Sequence, residues 1–240
     1  MPTKTVQHPL QIHIQGLMKR YHRQPVLNQL SFTIASGNFC LLVGDNGAGK
    51  TTLLRILAGL VRPSQGEITC CGSLPGVDTE IRRLIGYVGH KPMLYQDLTA
   101  LENLCHYAEL YQIHNTKVKV SQAIQSFGLT AHQDQPVRTL SRGMQQRLSL
   151  ARATLHNPVI LLLDEPYTGL DQQAARLLDE TLQNWHSQDR IILLAAHRPQ
   201  RLLSIASHVA WLKEGYISTH VPVAELSTTP SLRRYLQEVA

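Results

Sequence analysis

The sequence predicts an α/β fold: a mainly parallel sheet with an antiparallel β layer and an inserted helical subdomain. Three observations predict it. Phe39–Val43, Val159–Leu163 and Ile191–Ala195 are each five consecutive apolar residues, the pattern of parallel strands buried on both faces. Leu10, Ile12 and Ile14 alternate with Gln11, His13 and Gln15, and Leu30, Phe32 and Ile34 alternate likewise, the period of half-buried strands. From Pro92 the texture turns helical and stays so to about residue 145.

In chain order, the two alternating segments form the antiparallel layer, the second ending at Ser36-Gly37. The run at 39–43 is followed by a glycine-rich turn and a helix over Lys50–Leu60. Arg62-Pro63-Ser64-Gln65-Gly66 reads as a turn, Glu67–Cys71 as a strand, and Ile85-Gly86-Tyr87-Val88 as a short core strand. Adjacent Cys70 and Cys71 would then point to opposite faces of their strand. Thr99-Ala100-Leu101-Glu102 is a capping box that opens a helix to about Tyr111. A second helix, Thr116–Phe127, stops at Gly128. Ser141 caps a third, to about Leu155. Asp171–Trp185 is amphipathic, with Leu177, Leu178 and Leu182 as its apolar stripe. The strand at 191–195, a short helix from Pro199, a strand at Val209–Lys213 and a helix at Ser231–Val239 complete the chain. No internal repeat or long linker marks a second independent domain. The expectation is one domain over 1–240, with a core of 1–91 and 146–220, a helical subdomain at 92–145, and a tail with a helix at 221–240.

Chemistry enters at Gly44-Asp45-Asn46-Gly47-Ala48-Gly49-Lys50-Thr51-Thr52. This stretch fits G-x-x-x-x-G-K-[ST] between a buried strand and a helix, the context a phosphate-binding loop requires. Glycines let backbone N–H groups turn inward around a phosphate, and the helix N-terminus adds positive potential. Lys50 can reach the β- and γ-phosphates, and the Thr51 hydroxyl can ligand Mg²⁺. The run at 159–163 ends in Asp164 and Glu165. Alone, two acids at a strand end are what a solvated terminus looks like. With a phosphate loop upstream, Asp164 reads as the group that holds Mg²⁺ through water, and Glu165 as the one that polarises an attacking water.

Further segments identify a family. Leu140-Ser141-Arg142-Gly143-Met144-Gln145-Gln146-Arg147 resembles the L-S-G-G-Q signature of ATP-binding cassette (ABC) ATPases. Thr168-Gly169-Leu170-Asp171 resembles the family's D-loop, and Ala196-His197 its switch histidine. Tyr21 stands where the family stacks an aromatic on adenine. The resemblance spans roughly residues 10–220. It implies a P-loop NTPase core, ATP and Mg²⁺ as cofactors, and hydrolysis coupled to transport. It also implies two subunits facing head to tail, a second copy or a homologous one. Each ATP then lies between the phosphate loop of one and the signature of the other, with Ser141 and Gly143 facing the phosphate; Asp171 and His90 are further nucleotide-binding candidates. Glu165 and His197 are the implied catalytic pair, with a separate integral membrane permease as the transport partner.

The sequence departs from the family's pattern in places. The third signature position is Arg142 rather than Gly, and the fifth is Met144 rather than Gln. Where the family places a Gln that touches Mg²⁺ and water, this chain has His90. A neutral imidazole can accept from water or bind a metal; plain space-filling is the other reading. Gly89-His90-Lys91-Pro92, followed by Leu98-Thr99-Ala100-Leu101-Glu102-Asn103-Leu104, resembles the ATP-binding subunit of the haem exporter of cytochrome c maturation. Arg142-Gly143-Met144 also resembles subunits that export drugs or polysaccharides. A soluble ABC ATPase and a non-catalytic nucleotide-gated regulator are the further alternatives. The first usually carries long insertions or two cassettes, and the second would lack Glu165 or His197.

Composition bounds the rest. The 240 residues are 43% hydrophobic, enough for a real core. No run approaches the roughly 18 apolar residues of a membrane-spanning helix, and no charged-then-apolar leader stands at the N-terminus. The expectation is a peripheral protein at the cytoplasmic face of the membrane. The net charge of +6 comes from dispersed basic residues without a block of like charge, which favours an anionic membrane surface over nucleic acid. The four cysteines lack metal-ligand spacing and read as free thiols.

Overall fold

Two sheets organise the chain. β1 (Gln11–Tyr21), β2 (Gln24–Ala35) and β4 (Gln65–Cys70) form an antiparallel three-stranded sheet in the order β2-β1-β4. β3 (Phe39–Val43), β5 (Ile85–Val88), β6 (Ile160–Asp164), β7 (Ile191–Ala195), β8 (His208–Lys213) and β9 (Tyr216–Pro222) form a six-stranded sheet in the order β5-β6-β7-β3-β8-β9. All its pairings are parallel except that of β8 with β9. The computed structural model describes residues 10–73 and 78–239. Residues 1–9, on which the expectation of no leader bears, lie outside the described residues.

The helices are α1 (Lys50–Leu57), α2 (Thr79–Arg83), α3 (Ala100–Leu110), α4 (Thr116–Ser126), α5 (Arg142–Thr154), α6 (Gln172–His186) and α7 (Pro230–Glu238). Strand periodicity assigns them to faces. Leu41, Val43, Leu161, Leu163, Ile192 and Leu194 point into one core, shared with α3 to α7. Their neighbours Cys40, Leu42, Ile160, Leu162, Ile191 and Leu193 point into the other, shared with Leu53, Leu54 and Leu57 of α1 and with the antiparallel sheet. Every residue of β3, β6 and β7 is buried, as five-residue apolar runs require.

This topology makes the site. β3, β7 and β6 are adjacent and parallel, with Leu42 and Asp164 both in register with Ala195. The phosphate loop, Asp164-Glu165 and Ala196-His197 therefore emerge at one sheet edge, where open α/β sheets bind ligands.

The local caps follow the sequence. Thr99 and Glu102 form a reciprocal capping box, the Thr99 hydroxyl accepting from the Glu102 N–H at 3.1 Å. Ser141 caps α5 and Asp171 caps α6. Several expectations are corrected. The helix after the phosphate loop ends at Leu57, because Gly59 turns the chain at φ 70°. β4 ends at Cys70, and Cys71 turns left-handed at φ 52°. Both thiols are consequently buried instead of facing opposite ways. On α6 the stripe is Ala174, Ala175, Leu178, Leu182 and Trp185, with Leu177 only half-buried. The helix after Pro199 is a single 3-10 turn, Gln200–Leu202. β9 runs to Pro222, past the expected core limit at residue 220.

Candidate nucleotide site

Glycine is required at both ends of the phosphate loop. A Cβ on Gly44, at φ 153°, would stand 2.2 Å from the Leu212 carbonyl oxygen. One on Gly49, at φ 109°, would meet the Leu27 side chain at 2.8 Å. With Gly49 as its N-cap, α1 has no side-chain cap. Its first N–H groups are thus left for a ligand, as an anion site needs.

Lys50 is buried, and its ammonium donates to the carbonyls of Gly44 at 2.5 Å and Asp45 at 3.0 Å. Burial pushes its pKa down, and Glu165, Asp164 and Asp45 push it back up. Asp164 is 3% exposed. Burial raises its pKa, Glu165 raises it further, and the Thr51 hydroxyl donating to it lowers it, with help from His90 and Lys50. Among the described residues its Oδ2 is buried without a hydrogen-bond partner. A buried carboxylate oxygen costs free energy unless something compensates it. Thr51, Asp164, Lys50, Glu165 and His90 are thus within electrostatic reach of one another. A cation at Asp164 beside Thr51 fits this donor set, and would draw its other ligands from water and phosphate oxygens, as Mg²⁺ does. Among the described residues no cluster of three or more His, Cys, Asp or Glu could cage a metal by itself.

Glu165 is held in an unusual backbone state, at φ 51°. For a non-glycine residue that costs roughly 1–2 kcal/mol. Its N–H donates to the Ala195 carbonyl at 3.0 Å and its carbonyl accepts from the Thr168 N–H at 3.1 Å. Two such bonds, each worth about 1 kcal/mol, offset the strain. The conformation places Glu165 on the wall between two clefts. One is also lined by Ala196, His197, Leu170 and Arg201; the other by Gly89, His90, Arg142 and Gly169.

The segment after Glu165 is braced. The Tyr167 hydroxyl donates to Asp179 of α6 at 2.6 Å, and Arg201 grips the same carboxylate with Nε and Nη2. Gln146 of α5 donates to the Pro166 carbonyl at 3.1 Å. Nothing in the spacing of Tyr167, Asp179 and Arg201 announces this triad; its members come from three elements.

The remaining expected site residues lie apart. Ser141 is exposed and accepts from the Met144 N–H at 3.3 Å. Gly143 packs on Gly169, whose carbonyl oxygen would stand 3.1 Å from a Cβ there. Among the described residues no hydrogen bond joins Ser141 or Gly143 to the loop at 44–52. Asp171 uses its carboxylate to cap α6, accepting from the Ala174 N–H at 2.8 Å. Tyr21 ends β1, exposed, with the Lys19 ammonium 4.9 Å from its ring centroid. Asn46, Gly47, Ala48 and Thr52 stand in the loop and the first turn of α1, with an Ala48 N–H to Asp45 carbonyl bond at 3.1 Å closing its turn.

Comparison with known proteins agrees with this geometry. The ABC transporter family profile matches residues 27–168. The ABC transporter ATP-binding protein NatA of Bacillus subtilis is 34% identical over 199 residues, 80% of this chain and 79% of its own length. The Nod factor export ATP-binding protein I of Burkholderia thailandensis is 37% identical over 207 residues, 85% of this chain and 68% of its own. A solved structure of the ATP-binding subunit of an ABC transporter superposes with a TM-score of 0.84 at 26% identity, covering 92% of this chain and 94% of that one. The dimeric cassette MJ0796, bound to ADP and Pi, has the same fold, with a TM-score of 0.80 at 24% identity over 88% of this chain and 98% of that one.

The chain belongs to the ABC transporter family. It is an ATP-binding, ATP-hydrolysing transporter subunit. Among the described residues no helix is long and apolar enough to cross a membrane.

Proposed function

We propose that this chain binds ATP with Mg²⁺ on the loop at Gly44–Thr52 and hydrolyses it in a head-to-tail pair of cassettes. The work powers export through a separate membrane permease, with the chain peripheral at the cytoplasmic face. The observation that carries the reading is the buried Oδ2 of Asp164, without a hydrogen-bond partner among the described residues, on a carboxyl that senses both Thr51 and Lys50.

The roles follow from position. Backbone N–H groups of residues 45–51 cradle the phosphates, and Lys50 leaves the Gly44 and Asp45 carbonyls for the β- and γ-oxygens. Thr51 and Asp164 hold Mg²⁺, which when bound neutralises charge on the β- and γ-phosphates. Glu165 orients the attacking water from its strained backbone, and His197, across the same cleft, holds that water and the γ-phosphate in line. His90 faces water from the other cleft. Tyr21 stacks on adenine. Ser141, Gly143 and Asp171 meet the nucleotide of the opposite subunit. Residues 92–145 act as the helical subdomain that receives the permease. Lys50→Ala should lose ATP binding while its melting temperature stays within a few degrees of wild type. Retained nucleotide affinity would sink the assignment.

The finer reading is the haem exporter of cytochrome c maturation, supported by Gly89-His90-Lys91-Pro92 and the segment after it. The Nod factor export relatives, together with Arg142-Gly143-Met144, favour a drug- or polysaccharide-type exporter as the second reading. The membrane protein that copurifies with this chain separates them. A haem-handling subunit supports the first reading, and a drug or polysaccharide permease overturns it.

A further inference from the structure

One carboxylate holds both walls of the cleft that lies between Glu165 and His197. Residues 165–172 form one wall and residues 195–202 the other. At the sheet the walls are joined by backbone: Asp164 pairs in register with Ala195, and the Glu165 N–H donates to the Ala195 carbonyl at 3.0 Å. They meet again on Asp179 of α6. The Tyr167 hydroxyl, two residues beyond Glu165, donates to Asp179 Oδ1 at 2.6 Å. Arg201, four residues beyond His197, gives Nε to both oxygens, at 3.1 and 2.9 Å, and Nη2 to Oδ2 at 2.5 Å. The guanidinium carbon also stands 5.6 Å from the Tyr167 ring centroid. α6 is a firm post for these contacts, since Leu178 and Leu182 beside Asp179 are buried in the core that also takes Leu202.

We propose that Asp179 is a positioning residue for hydrolysis, setting the spacing of Glu165 and His197 by holding Tyr167 and Arg201 on one carboxylate; this rests on the catalytic roles proposed above for that pair. The contacts add little to stability. The Arg201 side chain is 44% exposed and that of Asp179 23%, and an ion pair so open to solvent is worth little. They add much to geometry. A planar guanidinium fork on a carboxylate fixes distance and direction together, and the phenol fixes a third point. Glu165 needs such support, because its backbone at φ 51° is a state that persists only where the surroundings over-determine it. Burial, then the bond to Asp179, hold the Tyr167 phenol well above its usual range. The hydroxyl therefore keeps its proton, and its role as donor, at neutral pH.

Asp179→Asn keeps the shape of the side chain and removes the charge that Arg201 grips. In the full chain, kcat for Mg²⁺-ATP hydrolysis should fall about 10- to 100-fold, the scale of a misplaced reacting group. Kd for a fluorescent ATP analogue should stay within about twofold and the melting temperature within ~3 °C. In a Glu165→Gln background the same substitution should change residual turnover less than about twofold, since groups that act as a unit do not add. The ATP-trapped pair of that background should still sediment. A merely structural Asp179 would lower the melting temperature with kcat intact, or cut turnover equally in both backgrounds, and either result overturns the proposal. Loss of the trapped pair overturns it too. Should Asp179→Asn fold poorly, Tyr167→Phe removes one hydroxyl and keeps the ring beside the Arg201 guanidinium. There kcat should fall about threefold to tenfold at unchanged Kd, the scale of one hydrogen bond, and wild-type kcat overturns the proposal equally. Wild-type turnover in Glu165→Gln would fail the catalytic reading and the positioning role together. Wild-type turnover in Asp179→Asn, with Glu165→Gln impaired, would fail the positioning role alone.

Discussion

The loop at Gly44–Thr52 and the turn at Ser141–Gly143 are both glycine-bearing starts of helices, and they are finished differently. The first gathers its groups from one chain. Gly49 leaves α1 uncapped, Lys50 is buried, and Asp164, Thr51 and Glu165 crowd around it. The second is exposed and self-satisfied. Ser141 caps α5 with its own hydroxyl, and Gly143 rests on Gly169 of the same chain. An uncapped, walled N-terminus has an anion's charge and hydrogen bonds already provided for. A capped, exposed one needs a ligand brought to it. In the proposed head-to-tail pair that ligand is the nucleotide on the opposite loop, so binding belongs to one chain and turnover to two.

Three substitutions sharpen or break this contrast. The largest effect is expected of Glu165→Gln, which removes the carboxylate proposed to orient water. Turnover should fall about 10²- to 10⁴-fold with ATP still bound. Sedimentation with ATP and Mg²⁺ should show a trapped pair; wild-type hydrolysis would strip Glu165 of its role. Next, Gly143→Asp sets a negative charge where the γ-phosphate of the opposite subunit is expected. Hydrolysis should drop roughly 10²- to 10³-fold, the scale of losing a transition-state donor. ATP affinity of the isolated chain should stay within about threefold of wild type. Equal loss of binding would mean that the two helix starts do not divide the labour.

The third concerns the far end of α5. His156 stacks on Tyr111, ring centroids 3.9 Å apart, and its Nε2 meets the Ile85 carbonyl at 3.2 Å. Burial drives its pKa down to about 4 from 6.5, and among the described residues its Nδ1 has no partner. A lowered histidine supports folding fully above its unfolded pKa, and that support is lost as pH falls. Between pH 6.5 and 4 the loss is about 3 kcal/mol. His156→Phe keeps the stacking and should flatten stability against pH across that window, read by urea melts. An unchanged slope would show that acid loosens α5 elsewhere.

Much of this was legible because its causes are local. Gly44 to Thr52 lies between β3 and α1, and the apolar runs fix those elements without help. Thr99 with Glu102, Ser141 and Asp171 are caps whose partners lie within three residues. What escaped the sequence depended on neighbours. β9 alternates poorly and ends in Pro222, and only the edge of β8 makes it a strand. α2 is five residues long, opened by Asp78 through its bond to the Glu80 N–H. Leu177 matched the helical stripe by spacing, but Ala174 and Ala175 take the core side instead.

By itself the sequence determined the chemical inventory and the strands that carry it: the phosphate loop, the acid pair after β6, and a histidine after β7. Short-range physics suffices for that, since glycine dihedrals, helix caps and apolar runs act within a few residues. The tertiary structure alone decided which of these groups meet. Parallel pairing of β6, β7 and β3 brought three distant strand ends to one edge. Burial left the Asp164 Oδ2 without a hydrogen-bond partner among the described residues. Packing of α7 laid Tyr235 on Trp211 of β8, the strand beside β3, a proximity that hydrophobic burial creates and sequence spacing cannot show.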